Sequence, residues 1–160
     1  VSVRVGHGFD AHRLVAGRPF ILGGVRIPFE RGALGHSDGD ALAHALADAI
    51  LGACNLGDLG RHFPDSDPQW KDADSLRLLE ACARMAREAG YELVNVDATV
   101  VLEAPKLAPH LDAIRTRLAE TLRIDSSSVS VKAKTSEGMG YTGDGSGIAA
   151  YAVAALERSR

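Results

Sequence analysis

Ser2-Val3-Arg4-Val5-Gly6-His7-Gly8-Phe9-Asp10-Ala11-His12 is the stretch on which the fold turns. Residues 2–9 alternate with the two-residue period of a β-strand, and that strand feeds directly into Asp10-Ala11-His12. Two residues apart on extended chain, Asp10 and His12 leave the same face. Working outward, Phe20-Ile21-Leu22-Gly23-Gly24-Val25-Arg26-Ile27 reads as a hairpin, because Gly-Gly supplies the positive φ of a tight turn. A polar loop then leads into a helix from about Asp40 to Ala53, whose apolar stripe is Ala41, Leu42, Ala45, Leu46, Ala49 and Ile50. Residues 55–70 carry Gly and Pro breaks among charges and read as a loop. A helix capped by Asp72 or Asp74 should run to about Ala89 and stop at Gly90. Strands are expected at 93–102, 129–135 and 148–156, with a helix presenting Leu111, Ile114, Leu118 and Leu122 on one face and a glycine-rich turn at 137–147. The sum is a single α+β domain over residues 1–160, one mixed β-sheet with helices packed on one face.

Composition narrows the function. A chain of 160 residues with 46% hydrophobic residues is ordinary for one globular domain. Net charge is −3, with acids and bases interspersed, which argues against a nucleic-acid groove. An anionic ligand must therefore be held by a few local cations or by a metal. Cys54 and Cys82 sit in apolar helical patterns and read as small buried hydrophobes. The N-terminal alternation has no signal-peptide core, and the apolar run 148–156 is too short to span a bilayer. The expected setting is the cytoplasm, or a plastid stroma if a transit peptide has been removed.

His44 lies on the flank of the first helix, beside the stripe that presses it onto the sheet. With Asp10 and His12 it makes a carboxylate and two imidazoles on two rigid elements, a three-ligand set for zinc with the fourth position open to substrate. Asp40 and Asp48, one turn to either side, are candidates to orient His44. Asp-x-His also occurs as a turn motif, and His44 also reads as a helix-flank histidine. His36-Ser37-Asp38 shifts the balance, since it gathers polar groups at a helix N-terminus that suits a phosphate. Further on, Ala104-Pro105-Lys106-Leu107 offers a fixed turn and a cation. Lys132-Ala133-Lys134-Thr135-Ser136-Glu137 offers two lysines, hydroxyls and, in Glu137, a hard oxygen ligand for a divalent ion. Taken alone those lysines read as a solvated face before a binding site, and Met139 and Tyr141 read as packing residues. Spacing alone stops at a zinc site near a phosphate-friendly surface.

The motifs taken together resemble the 2-C-methyl-D-erythritol 2,4-cyclodiphosphate synthase family of the non-mevalonate isoprenoid pathway. The likeness runs through Gly8-Phe9-Asp10-Ala11-His12, Gly23-Gly24-Val25-Arg26-Ile27-Pro28, His36-Ser37-Asp38-Gly39-Asp40 with His44, Leu56-Gly57-Asp58-Leu59-Gly60 and Phe63-Pro64-Asp65-Ser66-Asp67-Pro68. It continues through Asn95-Val96-Asp97, Ala104-Pro105-Lys106 and Val131-Lys132-Ala133-Lys134-Thr135. The resemblance implies a ferredoxin-like or chorismate-mutase-like arrangement, assembled as a homotrimer with sites between subunits. It implies zinc on Asp10, His12 and His44, and magnesium or manganese on Glu137. His36 and Thr135 would support the transition state. Asp10, His12, Ser37, Asp58, Leu59, Gly60, Phe63, Pro64, Asp65, Ser66 and Asp67 would meet the phosphate and methylerythritol end of the substrate. The cytidine diphosphate end would fall to Leu102, Ala104, Pro105, Lys106, Leu107, Ala108, Lys134, Thr135, Ser136 and Glu137, with Tyr141 a further contact. The implied reaction converts 4-diphosphocytidyl-2-C-methyl-D-erythritol 2-phosphate to the cyclodiphosphate and CMP, a phosphorus–oxygen lyase step. The chain departs from the family pattern at Gly138 and at Gly143-Asp144-Gly145-Ser146-Gly147, where Asp144 replaces a common Arg, a cation for phosphates of the substrate or of an isoprenoid ligand on the trimer axis. Two rival readings are a zinc-dependent nucleotide-diphosphate hydrolase and a non-catalytic zinc-stabilised binding module.

Overall fold

The computed structural model describes residues 2–160, so Val1 lies outside the described residues. Strand β1 (Val3–Ala16) is longer than its alternation through Phe9 suggests, and Asp10 and His12 lie within it. It pairs antiparallel with β7 (Gly147–Arg158) from Val3 opposite Glu157 to Arg13 opposite Gly147. Strand β5 (Tyr91–Val101) pairs antiparallel with β7, and β6 (Val129–Lys134) runs parallel to β5. The short β4 (Arg31–Ala33) closes the other edge, giving a five-stranded mixed sheet in the order β4-β1-β7-β5-β6. β2 (Phe20–Leu22) and β3 (Val25–Ile27) form the separate hairpin, with Gly23 and Gly24 at φ of 57° and 74°.

Helices α1 (Ala41–Ala53), α3 (Ser75–Glu88) and α4 (Leu111–Leu122) cover one face, and α1 lies directly on β1 and β7. The sequence permits that approach through missing side chains. A Cβ on Gly6 or Gly8 would sit 1.8 Å from the Ala49 or Ala45 carbonyl oxygen. Across on β7, the residues under the helices include the buried Ala150, Ala152 and Ala154. Leu42, Leu46 and Ile50 are fully buried, each contributing about 1.5–3 kcal/mol of hydrophobic stabilisation. On the other face nothing among the described residues covers the strands: Val3, Val5, Phe9, Tyr151 and Val153 are 41–67% exposed. On that face the Lys132 ammonium is 2.6 Å from the Asp97 carboxylate.

Two expected loops hold short helices. α2 (Leu59–His62) and a single 3₁₀ turn at Pro68–Trp70 interrupt 55–70, started by Asp58 accepting from the Arg61 N–H and Asp67 from the Gln69 N–H. One-turn helices are too brief to show a period, so only their Asp caps betray them. α5 (Gly140–Gly143) likewise sits inside the glycine-rich turn. Met139 and Tyr141, expected to pack, are 67% and 48% exposed. Only the tip of the turn is open, with nothing within 4 Å of a Cβ at Gly138 or Gly140, while Thr142 is buried.

The expected cap, helix stop and cysteine burial hold, while β4 falls inside the stretch expected to be a polar loop. Asp74 caps α3 through the Leu76 N–H, and Gly90 follows at φ 92°. Cys54 and Cys82 are buried free thiols, and burial pushes Cys82 up to about 12. Among the described residues no helix is long and apolar enough to cross a membrane.

Candidate metal centre and binding clefts

Strand β1 and helix α1 run in opposite directions, so successive even-numbered residues of β1 meet successive turns of the helix. Gly6 faces Ala49 and Ala53, and Gly8 faces Ala45 and Ala49. Asp10 and His12 therefore reach the turn that carries His44. Asp10 Oδ2 lies 2.7 Å from His12 Nε2 and 2.9 Å from His44 Nδ1, and the two ring nitrogens are 3.4 Å apart. The three donor atoms all fall within 4.8 Å of one another.

The outer hydrogen bonds test whether this set fits a cation. His12 Nδ1–H donates to the Leu34 carbonyl at 3.0 Å. A neutral His12 then turns the Nε2 lone pair toward a carboxylate oxygen, which is repulsive unless a proton or metal ion lies between them. Burial opposes charge on Asp10, but its contacts with His12 and His44 outweigh this and hold its pKa at about 2. Burial also works against a charged His12, yet the Asp10 hydrogen bond and charge carry its pKa above the usual value. The centre thus concentrates negative charge between two imidazoles, and a divalent ion entering it displaces protons.

The triad lies on the wall of a cleft of about 410 Å³, large enough for a sugar phosphate. Of the residues expected to meet substrate, His36, Ser37, Leu59, Gly60, Phe63 and Asp65 line it. Asp58 caps α2, and the Asp67 carbonyl is 3.4 Å from His36 Nε2, so both shape the wall from behind. Neither they nor Pro64 and Ser66 line the cleft. Sequence reasoning missed Trp70 and Leu78 as lining residues. Trp70 packs edge-on against Phe63 with ring centres 4.9 Å apart, and its position in a polar stretch was the available signal.

Asp40 and Asp48 do not orient His44. Asp40 is fully buried, accepting from the N–H groups of Gly23, Gly24 and Ala43 at 2.8–3.0 Å, and so staples the hairpin to the start of α1. Its N-cap backbone turns the side chain toward the helix terminus and away from the next turn. Burial lifts its pKa to about 6 despite those hydrogen bonds, with the Asp38 charge adding to the rise. Asp48 also lines the cleft, where it accepts from the Leu59 N–H at 2.7 Å. Burial pushes its carboxyl up as well, with the Asp58 and Asp10 charges on the same side.

The second group of expected residues gathers elsewhere. Leu102, Pro105, Lys106, Leu107, Ala108, Lys134 and Thr135 line a depression of about 210 Å³ that shares no residue with the first cleft. The Ala104–Pro105 peptide is cis, and Leu102 and Leu107 are themselves buried. Ala104, Ser136 and Glu137 stand outside its lining. Ser136 bonds the Thr142 hydroxyl at 2.7 Å, and Glu137 adopts φ 56°. Tyr141 lines a third depression with Ala11, His12, Arg13, Ser146 and Gly147. Across the sheet, Asp10, Ala150, Val100 and Ala133 share one row, which places Ala133 roughly 14 Å from Asp10 at three strand spacings. Alternation puts Lys134 on the uncovered face, opposite the metal centre.

The sequence matches the model of the YgbB family over residues 3–157. The chain is 56% identical over 156 residues to the 2-C-methyl-D-erythritol 2,4-cyclodiphosphate synthase of Geobacillus kaustophilus, covering 98% of this chain and 99% of that one. Its fold superimposes on the bifunctional IspDF of Campylobacter jejuni with a TM-score of 0.95 and 41% identity, covering 98% of this chain and 42% of that longer one. The CDP complex of IspF from Plasmodium falciparum matches with a TM-score of 0.88 and 31% identity, over 99% of this chain and 98% of the other.

Proposed function

This chain belongs to the YgbB family, and from that we propose that it closes the ring of 2-C-methyl-D-erythritol 2,4-cyclodiphosphate, with loss of CMP from 4-diphosphocytidyl-2-C-methyl-D-erythritol 2-phosphate. The observation that carries the reading is the convergence of Asp10, His12 and His44 in one cleft, a donor set that suits zinc and leaves a coordination position open. In the proposed step the 2-phosphate attacks the β-phosphorus of the same molecule, and the bond to the CMP oxygen breaks. The attacking phosphate has a second pKa near 6, so at neutral pH it needs no general base. The obstacle is bringing two anions together in line. Zinc on the triad, with magnesium or manganese on Glu137, supplies positive charge that offsets this repulsion by several kcal/mol.

The protein's own groups do the rest. Ser37 meets a phosphate oxygen, and His36 and Thr135 donate to oxygens that gain charge. Leu59, Phe63 and Trp70 give the cleft an apolar wall that keeps water from the phosphorus. The segments 58–60 and 63–67 hold the methylerythritol end, while 102–108, with Lys106, and 134–136 hold the cytidine diphosphate. Fixing both ends of one substrate is worth on the order of 7–11 kcal/mol in orientation.

A homotrimer with sites at subunit boundaries fits two features. The uncovered sheet face carries an apolar stripe that a second copy would bury. The two substrate-end clefts share no residue within one chain, so a second copy would bring complementary halves together.

The deciding experiment is incubation with the cytidyl substrate followed by phosphorus NMR. Ring closure gives CMP and one product whose two phosphorus nuclei couple to each other. An open-chain phosphate product alongside CMP would sink the cyclisation.

A further inference from the structure

We propose that Ser75 and Asp38 form a hydrogen-bond relay behind the metal centre, positioning residues that fix which nitrogen of His44 faces the ion. This rests on the reading that Asp10, His12 and His44 hold a metal. His44 presents Nδ1 to Asp10, and its other nitrogen, Nε2, points away from the centre to the Ser75 hydroxyl at 2.7 Å. The Ser75 hydroxyl in turn donates to Asp38 Oδ1. Asp38 Oδ2 accepts the Ser75 backbone N–H at 3.0 Å, and Asp38 Oδ1 also accepts the Asp40 N–H at 3.1 Å. Ser75 is 1% exposed.

The direction of the protons follows from what each group can do. An ionised carboxylate only accepts, so the single Ser75 hydroxyl proton is committed to Asp38. That leaves the Ser75 oxygen to accept, and the proton it accepts at 2.7 Å is the one on His44 Nε2. With Nε2–H fixed there, the Nδ1 lone pair is free for the metal, and the Asp38 charge at the end of the chain strengthens its donation. Ser37 Oγ lies 3.1 Å from the same nitrogen and 3.3 Å from Ser75 Oγ. The Ser37 oxygen can share the His44 Nε2 proton as an acceptor, which leaves its own proton for a phosphate oxygen in the cleft. His12 reaches the same end by a backbone route, through the Leu34 carbonyl. The first turn of α3 is thereby tied to the metal centre carried by β1 and α1.

Zinc affinity, measured by competition with a chromophoric chelator, tests the relay without any substrate. Ser75→Ala removes only the hydroxyl and leaves the backbone bond to Asp38. It should weaken zinc binding roughly tenfold to a hundredfold, and Ser75→Thr should restore it. In zinc-loaded wild type the His44 Nε2 proton should be a slowly exchanging ¹H–¹⁵N signal that Ser75→Ala loses. A role confined to folding would lower the melting temperature and leave the affinity of the folded protein unchanged. Unchanged affinity in Ser75→Ala overturns the relay. Should Ser75→Ala not fold, Asp38→Asn carries the same decision. Wild-type protein that takes up no zinc sinks the relay and the metal reading together, whereas a failure of ring closure alone leaves the titration result intact.

Discussion

The cleft beneath α1 and the depression beside Pro105 are built on different principles, although both lie at one end of the same sheet. In the first, every group that shapes the metal centre is held by another. Asp40 is stapled to three backbone N–H groups, His12 to a carbonyl, His44 to Ser75, and Asp48 to Leu59. In the second, among the described residues, the Lys106 and Lys134 side chains, and that of Glu137 just beyond the lining, have no hydrogen-bond or ion-pair partner within the chain. A metal centre needs donors fixed to a few tenths of an ångström before the ion arrives. A diphosphate and its counter-ion bring their own charge, and a neighbouring copy can bring more, so that side is left as an open half.

The hardest test of this contrast removes a donor. His44→Ala should abolish zinc binding and cyclisation together, a loss on the order of a thousandfold for several kcal/mol of missing electrostatic stabilisation. CDP binding should survive, because its proposed contacts lie in the other cleft. Full cyclisation by a demonstrably zinc-free variant, measured by product NMR and metal analysis, would refute the metal's role. Loss of CDP binding as well would show that the two clefts are one unit.

Next comes the glycine contact that sets the spacing of α1. A Cβ at Gly8 would lie 1.8 Å from the Ala45 carbonyl oxygen, so Gly8→Ala must move the helix. We expect a loss of about 3 kcal/mol of stability, at the upper end for overpacking, with weaker zinc binding because His44 moves with the helix. In the open region Gly138 has φ 75° and nothing within 4 Å of a Cβ. Gly138→Ala should therefore cost only backbone strain and leave zinc affinity alone. Urea denaturation and chelator competition on both variants distinguish packing from conformation, and equal effects would erase the contrast.

A third effect, no larger at its maximum, concerns pH. Asp40 has its folded pKa raised from 3.8 to about 6, so the folded chain holds this proton more tightly than the unfolded chain does. Its contribution to stability is therefore greatest below about pH 4 and falls as pH rises through 6, by up to about 3 kcal/mol. Asp10, depressed to about 2, acts in the opposite sense between 2 and 3.8. The metal-free protein should lose stability between pH 4 and 6, as read by urea midpoints, and Asp40→Asn should flatten that slope. A slope unchanged in Asp40→Asn would assign it to another group.

Sequence patterning made the frame legible because each signal was local. The alternation of residues 2–9 and the stripe from Ala41 to Ile50 marked β1 and α1, and the ligand types of Asp10, His12 and His44 followed from their places on them. Gly6 and Gly8 could not be recognised as the helix contact, since what they accommodate lies some forty residues away. The pairing of Ser75 with Asp38 spans 37 residues, and a serine following Asp74 reads locally as part of a cap. Asp40 and Asp48 were placed behind His44 by helical spacing, but backbone donors from the hairpin and from α2 claim them, and no pattern within one helix announces that. The short helices α2 and α5 escaped because a single turn has no period.

The smallest effect belongs to the open region and bears most directly on what it is for. Glu137 sits in the left-handed region at φ 56°, where a non-glycine residue costs about 1–3 kcal/mol, and its carboxylate has no partner among the described residues. A strained backbone that leaves an acid unpaired is suited to a cation that comes with the ligand. Glu137→Gln keeps the size and the backbone while removing the charge, so it should raise the magnesium concentration needed for half-maximal activity, on the order of tenfold. Zinc content should not change. If the magnesium dependence is unaltered while activity falls, Glu137 acts on the substrate itself. If zinc is lost as well, the loop is coupled to the metal centre after all, and the division into a finished cleft and an open half fails.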